Sequence, residues 1–309
     1  MKIIFMGNPA IACPILESLR ASDYHDLVAV VSNAPKTMGR GQSLRHTAVG
    51  EYAIKKNLNF IPAESLTDPD LHSRLKILKP DIYVVVAFRI LPNALLKIPK
   101  MGAMNLHTSL LPKYRGSAPI QHAIMNGDKE TGLTTFIIEP KVDTGGIIHQ
   151  ERISIEPDDD FESISEKMTK RGVSLVMKSL NTLVDGKLPK PQNHEDATVA
   201  PKITKAMYAI DWSQPARSIH NQIRGLPPSP GSFSSFKGKR IKIYKTKLIM
   251  DEYEGIPGKL VKLGKNRLGI CCGDGALELL DVQLSGKNRM DVSDWLKGAQ
   301  ISDRDQFEL

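Results

Sequence analysis

The sequence predicts an α/β fold, a doubly wound and mainly parallel sheet, followed by a small all-β barrel. Short β-branched apolar runs alternate with helical periodicity through the first half of the chain. Beyond a Pro-rich polar stretch the period drops to two. The length of 309 residues suits about two domains.

Lys2 to Met6 is a short apolar run ended by Gly7-Asn8-Pro9, and Ile11, Ile15, Leu16 and Leu19 then recur at helical spacing. The chain thus opens as strand, turn and helix. Leu27 to Val31 repeats the strand signal, Asp68 to Leu78 places Leu71, Leu75 and Leu78 on one helix face, and Ile82 to Ala87 reads as another buried parallel strand. In such a sheet ligands bind outside the carboxyl ends of the strands, so functional residues are expected just after them. Asp160 to Leu183 carries Phe161, Ile164, Met168, Leu175, Val176 and Leu183 as one long amphipathic helix. Gly186 to His194 is polar and Pro-rich, without a period. These signals divide the chain into a Rossmann-like domain at 1–189, a linker at 190–206 and a C-terminal module at 207–309. In that module Ile241 and Ile243 alternate with Lys242, and Leu260 to Leu263 and Leu268 to Cys272 are short strands. Gly273-Asp274-Gly275 before Ala276 to Leu284 signals a hairpin.

Composition excludes several classes. With 41% hydrophobic and 25% charged residues the chain is neither disordered, collagenous nor a coiled coil, and 6% aromatic content argues against a sheet that stacks many bases. Cys13, Cys271 and Cys272 form neither a CxxC pair nor an even framework, which points to a reducing cytoplasm. The longest apolar run, Ile82 to Phe88, is too short to cross a bilayer, and Gly7-Asn8-Pro9 interrupts the first strand too early for a signal peptide. The histidines show no paired metal-ligand spacing and Gly7-Asn8-Pro9 does not complete GxGxxG, so neither a metal nor a dinucleotide is expected.

The net charge is +8, and half of the excess lies beyond Met207. Lys237 to Lys247 holds six positive charges and no negative one. Such a run suits an anionic partner, and it equally suits a solvated, aggregation-resistant sheet edge.

The segment richest in chemistry is Asn105-Leu-His107-Thr-Ser109-Leu-Leu-Pro112. Two residues apart in a strand, Asn105 and His107 emerge on one face. A carboxamide donor beside an imidazole is what acyl transfer needs, because the amide stabilises an oxygen as it gains charge and the imidazole moves a proton. Pro112 bars the residue before it from helix, which leaves main-chain groups free to grip a ligand. Asp143, ahead of Gly145-Gly146, reads as a turn by default; brought near His107, its carboxylate would orient the ring and raise its basicity.

Asn105-x-His107, Ser109-Leu-Leu-Pro112 leading into Tyr114-Arg115-Gly116, and Asp143-Thr144-Gly145 occur in that order and separation. Together they closely resemble the 10-formyltetrahydrofolate-dependent formyltransferases. The resemblance implies that Asn105, His107 and Asp143 are catalytic. It also implies that Ser109, Leu110, Leu111 and Pro112 contact the folate, with backbone at Val86, Ala87 and Phe88 holding the pterin. The run Ala87-Phe88-Arg89-Ile90-Leu91-Pro92 is one residue shorter than the more usual Ala-Tyr-Gly-Leu-Ile-Leu-Pro.

The family includes enzymes acting on ribonucleotides and amino-sugar nucleotides, and two features separate this chain from them. Asn33 to His46 is a basic loop with Gly39-Arg40-Gly41 and Arg45, longer than a compact α/β unit needs. Its glycines let it fold onto a substrate, and arginine suits phosphates. The C-terminal module carries Ile210-Asp211-Trp212 and Ile223-Arg224-Gly225. Both are similar to the branch of the family that formylates methionyl-tRNA, over essentially the whole chain. That branch implies a cytoplasmic enzyme, here expected to be a monomer, with 10-formyltetrahydrofolate as donor, initiator methionyl-tRNA as acceptor and a C-terminal OB-fold that holds the tRNA. Gly39, Arg40, Gly41, Arg45, Lys237, Lys239, Arg240 and Lys242 are the expected tRNA contacts. The alternative is a formyltransferase acting on an amino-sugar nucleotide or another small amine.

Overall fold

The structure is a computed structural model that describes residues 1–38, 43–249, 253, 255–302 and 305–308. It divides into two compact units. Met1–Pro119, Glu130–Ser154 and Ser165–Pro201 form the first; Ile120–Lys129, Ile155–Ile164 and the chain from Lys202 onward form the second.

The first unit is built on a seven-stranded sheet. Its strands lie in the order Ile147–Ser154, Glu130–Ile137, Ala103–His107, Ile82–Val86, Lys2–Gly7, Asp26–Asn33 and Phe60–Ala63. The five strands from Ala103–His107 to Phe60–Ala63 run parallel, while Glu130–Ile137 and Ile147–Ser154 are antiparallel to their neighbours. Lys2–Gly7 is the middle of these five, and both of its faces are covered: Ile3, Ile4, Phe5 and Met6 are fully buried. The order grows outward from it in both directions, so the carboxyl ends of Lys2–Gly7, Ile82–Val86 and Ala103–His107 lie around the reversal point where α/β sheets bind ligands.

The helices follow their sequence signals. Cys13–Arg20 buries Ile15, Leu16 and Leu19, with Pro14 in its first turn. Asp68 caps Pro69–Ile77 by accepting from the Asp70 N–H. Phe161–Val184 buries Ile164, Met168, Leu175, Val176, Leu180 and Leu183 at helical spacing. Among the described residues no helix is long and apolar enough to cross a membrane.

Residues 190–206, expected as a linker, carry structure of their own. Lys190 bridges Ile147, and Val199–Ala200 pairs in parallel with Arg115–Gly116. Up to Pro201 this segment belongs to the first unit.

The second unit is the expected antiparallel β module. The strands Leu260–Gly264, Arg267–Cys271, Ala276–Leu284, Lys239–Ile249, Ser232–Phe236 and Phe307–Glu308 pair in that order, and a bridge from Lys259 to Gln306 brings the two ends together. The sheet is thereby curled into a barrel. Ile241, Ile243, Leu268, Ile270, Leu277 and Leu279 fill it together with Trp212, Phe236 and Phe307. Ala216–Gly225, a helix whose Ile219 and Ile223 are buried, packs against the Lys239–Ile249 strand. Trp212 is 0% exposed, stacks edge-on with Phe307 and donates from Nε1 to Ser234 Oγ at 2.9 Å.

Trp212→Ala is expected to cost about 4 kcal/mol, the range for emptying a fully buried aromatic site, when read by urea unfolding. A loss below about 1 kcal/mol would show that the ring is not the barrel's core.

Candidate active site

Asn105 and His107 lie on one face of the Ala103–His107 strand, at the carboxyl end of the sheet. Both line a cavity of about 610 Å³. Val86 at the end of the neighbouring strand and Ala87, Phe88, Arg89 and Leu91 after it line it too, as do Phe136, Ile138 and Asp143. Its walls are largely apolar, with few polar groups converging on it.

His107 is only 6% exposed. Its Nε2 lies 2.9 Å from the carbonyl oxygen of Tyr114, and because a carbonyl only accepts, Nε2 carries the proton. In the neutral ring this leaves the Nδ1 lone pair open, 3.8 Å from Asp143 Oδ2. That separation is longer than a hydrogen bond, so the carboxylate acts on the ring through its field. Burial pushes the imidazole below its usual value, partly opposed by the charge of Asp143 and by the bond to Tyr114. His107 is therefore a neutral base near pH 7, with a carboxylate placed to stabilise its protonated form. Phe136 meets the imidazole edge-on at 6.4 Å.

Two backbone constraints position Asp143. Its φ is +54°, a left-handed conformation that Asp tolerates better than most residues. Gly145 follows because a Cβ there would fall 1.8 Å from the carbonyl oxygen of Ile137. Gln192 Nε2 donates to the Asp143 and Gly145 carbonyls at 3.0 and 2.8 Å, while Asp143 Oδ2 accepts from the Gly116 N–H at 2.8 Å. Gly116 is equally constrained: at φ +126° its absent Cβ would lie 2.5 Å from the Ala200 carbonyl oxygen.

Ser109, Leu110, Leu111 and Pro112 do not line the cavity. Ser109 and Leu111 are buried, and the Ser109 hydroxyl donates to the Lys113 carbonyl at 2.6 Å. Thr134 Oγ1 donates to the Ser109 carbonyl and accepts from the Leu111 N–H. These bonds brace the turn that leads to Tyr114. Val86, Ala87 and Phe88 do form the wall, with Ala87 at φ +48°.

Gln192 carried no motif signal and Arg89 stood only in the shortened Ala87–Pro92 run; each bonds main-chain carbonyls distant in sequence. Arg89 donates to Glu64 and Ala63. Gln192 also accepts from Arg115 Nη2 at 2.6 Å.

The basic residues fall in two places. Gly39, Arg40 and Gly41 lie outside the described residues. On either side of them in sequence, Lys36–Met38 and Ser43–Arg45 pair as an antiparallel hairpin, with Arg45 exposed. On the barrel, Arg240 and Lys242 point away from the face that buries Ile241 and Ile243, and Lys239 is exposed. The Arg240 guanidinium lies 4.0 Å over the Phe233 ring. Lys237 differs: its ammonium pairs with Asp305 at 2.8 Å and donates to the Gln300 carbonyl. Among the described residues no three His, Cys, Asp or Glu side chains gather to hold a metal.

Residues 1–180 match the formyl transferase family, and residues 202–300 match the formyl transferase C-terminal domain. A methionyl-tRNA formyltransferase from Caldanaerobacter subterraneus subsp. tengcongensis is 41% identical over 97% of this chain and 98% of its own length. The N-formyltransferase from Helicobacter canadensis superposes with a TM-score of 0.66 at 22% identity, covering 90% of this chain and 98% of that one. Methionyl-tRNA formyltransferase from Clostridium thermocellum superposes with a TM-score of 0.59 at 16% identity over 81% of this chain and 94% of that one. At these identities the superpositions show a shared fold. The full-length sequence match goes further: this chain belongs to the methionyl-tRNA formyltransferase family of formyl transferases.

Proposed function

We propose that this chain transfers the formyl group of 10-formyltetrahydrofolate to the α-amino group of initiator methionyl-tRNA, as a cytoplasmic monomer that uses no metal. The observation that carries the reading is the convergence of Asn105, His107 and Asp143 on one apolar cavity. At about 610 Å³ the cavity is of the size that small-molecule sites take, and the backbone of Val86 to Phe88 forms an edge that suits a flat pterin. When bound, the folate supplies a formyl carbon held on nitrogen and open to attack by an amine.

Asn105 offers a carboxamide N–H to the formyl oxygen, where negative charge builds as the amine adds. His107 keeps Nε2–H on the Tyr114 carbonyl and takes the amine proton at Nδ1. Asp143 stabilises the imidazolium that results, held in place by Gly116 and Gln192. His107 then returns the proton to the departing nitrogen, which leaves the ring neutral for the next turnover. Arg40, with Gly39, Gly41 and Arg45, would reach the acceptor end of the tRNA. Lys239, Arg240 and Lys242 would neutralise its phosphates, with Lys237 contributing less because Asp305 already holds it.

Incubation with 10-formyltetrahydrofolate and charged initiator tRNA should yield N-formylmethionyl-tRNA, with much less product from the elongator control and none from an amino-sugar nucleotide. Asn105→Ala should slow the transfer by about 10²- to 10³-fold in a chain that folds normally. Near-normal turnover by that variant would refute the assignment.

The acid limb of kcat/KM should fall below the ordinary imidazole value of about 6.5, because the folded ring binds its proton less readily than a free one. Asp143→Asn removes a charge that raises this value, so the limb should shift further down while the rate drops. Stability follows the same sign: the unfolded chain binds the His107 proton more readily, so folding weakens as pH falls below about 6.5. A limb above that value would contradict the neutral-base role.

Lys239→Ala and Lys242→Ala should each raise the KM for tRNA and reduce the log–log salt slope of binding by about 0.9, while folate affinity stays unchanged. Equal effects on both substrates would show that these side chains support the fold instead.

A further inference from the structure

We propose that Arg89 is a positioning residue for the formyl donor, pinning the Ala87 to Leu91 segment against the end of the Phe60–Ala63 strand and so setting the affinity of the cavity for the folate ring. The inference rests on the folate reading above. Every residue from Val85 to Leu91 lines the cavity, so the shape of this segment is the shape of one wall. Its apolar anchors are Leu91 and the half-buried Phe88, both packed on the same core cluster. Ala87 and Ile90 are exposed, Ala87 sits at φ +48°, and Leu91 is the one fully buried anchor between Ala87 and Leu91.

Arg89 supplies the tie. Nη1 donates to the Glu64 carbonyl at 2.9 Å and Nη2 to the Ala63 carbonyl at 2.8 Å. These two acceptors succeed each other where an edge strand ends, and a planar guanidinium reaches both with one rigid fork. The same group lies 5.4 Å from the centre of the Phe88 ring, so the side chain that ties the backbone also contacts an aromatic wall residue. Lysine, a single flexible point charge, would satisfy one carbonyl and leave the other. Arg89 is a positioning residue and not a catalytic one. Its effect passes through the wall.

The test is steady-state kinetics on the full chain, with wild type, Arg89→Lys and Arg89→Ala, together with calorimetric titration of 5-formyltetrahydrofolate as a non-reacting probe. Arg89→Ala should raise the donor KM and the probe Kd by about tenfold, the scale of losing charge-assisted hydrogen bonds, with Arg89→Lys in between. The kcat and the KM for methionyl-tRNA should stay within about twofold. A probe Kd unchanged in both variants, or a fall in kcat at constant donor KM, would overturn the proposal. Should Arg89→Ala fail to fold, the probe Kd of Arg89→Lys decides alone. A wild type that binds the probe without formylating methionyl-tRNA would refute the acceptor and leave the Kd comparison to judge Arg89.

Discussion

The hydrogen bond from His107 Nε2 to the Tyr114 carbonyl is the interaction on which the site's chemistry turns. It fixes which ring nitrogen carries the proton, and hence which lone pair faces Asp143. The bond needs the chain to leave the Ala103–His107 strand, turn, and return within seven residues to present a carbonyl. Tyr114 does so at φ +60°, a conformation unfavourable for a bulky side chain. The surroundings enforce it: Thr198 accepts from the Tyr114 N–H through its hydroxyl and from the Arg115 N–H through its carbonyl.

That turn rests in its interior on Thr134. Its hydroxyl donates to the Ser109 carbonyl and accepts from the Leu111 N–H and from Gln150 Nε2, which also donates to the Leu111 carbonyl. Thr134 is wholly buried and stands opposite His107 in the antiparallel pair, so one register links the Ala103–His107 strand to its brace. A satisfied buried polar network of this kind rigidifies its surroundings, whereas a partly satisfied one would destabilise them. The Ser-Leu-Leu-Pro run thus helps to hold His107 and Tyr114 in place.

In the barrel the same segment of sequence serves two ends. Alternation sends Ile241 and Ile243 into the core and Arg240 and Lys242 outward, so a hydrophobic seal and a cationic face come from one strand. Arg240 over Phe233 keeps its charge on an apolar support. Lys237 shows that a basic run is not uniform, since Asp305 neutralises it locally.

Periodicity determined much of this protein by itself. Burial repeats every two residues in a strand and every 3.6 in a helix, so Lys2–Gly7, Cys13–Arg20, Pro69–Ile77, Phe161–Val184 and the barrel strands Leu260–Gly264, Arg267–Cys271 and Ala276–Leu284 could be read from apolar spacing within a residue or two of their ends. Lys239–Ile249, by contrast, showed only its alternation at Ile241 and Ile243, and Ser232–Phe236 left no signal that was read. Asn105 and His107 share a face for the same reason, being two apart in a strand. Tertiary structure alone decided the rest. That Asp143 comes within 3.8 Å of His107, that Gln192 and Thr198 in the expected linker hold the site's loops, and that Arg89 ties the pocket wall to Ala63 and Glu64 all depend on partners far away in the chain. A hydrogen bond of that kind leaves no period behind. It exists only once the sheet order has brought the strand ends together.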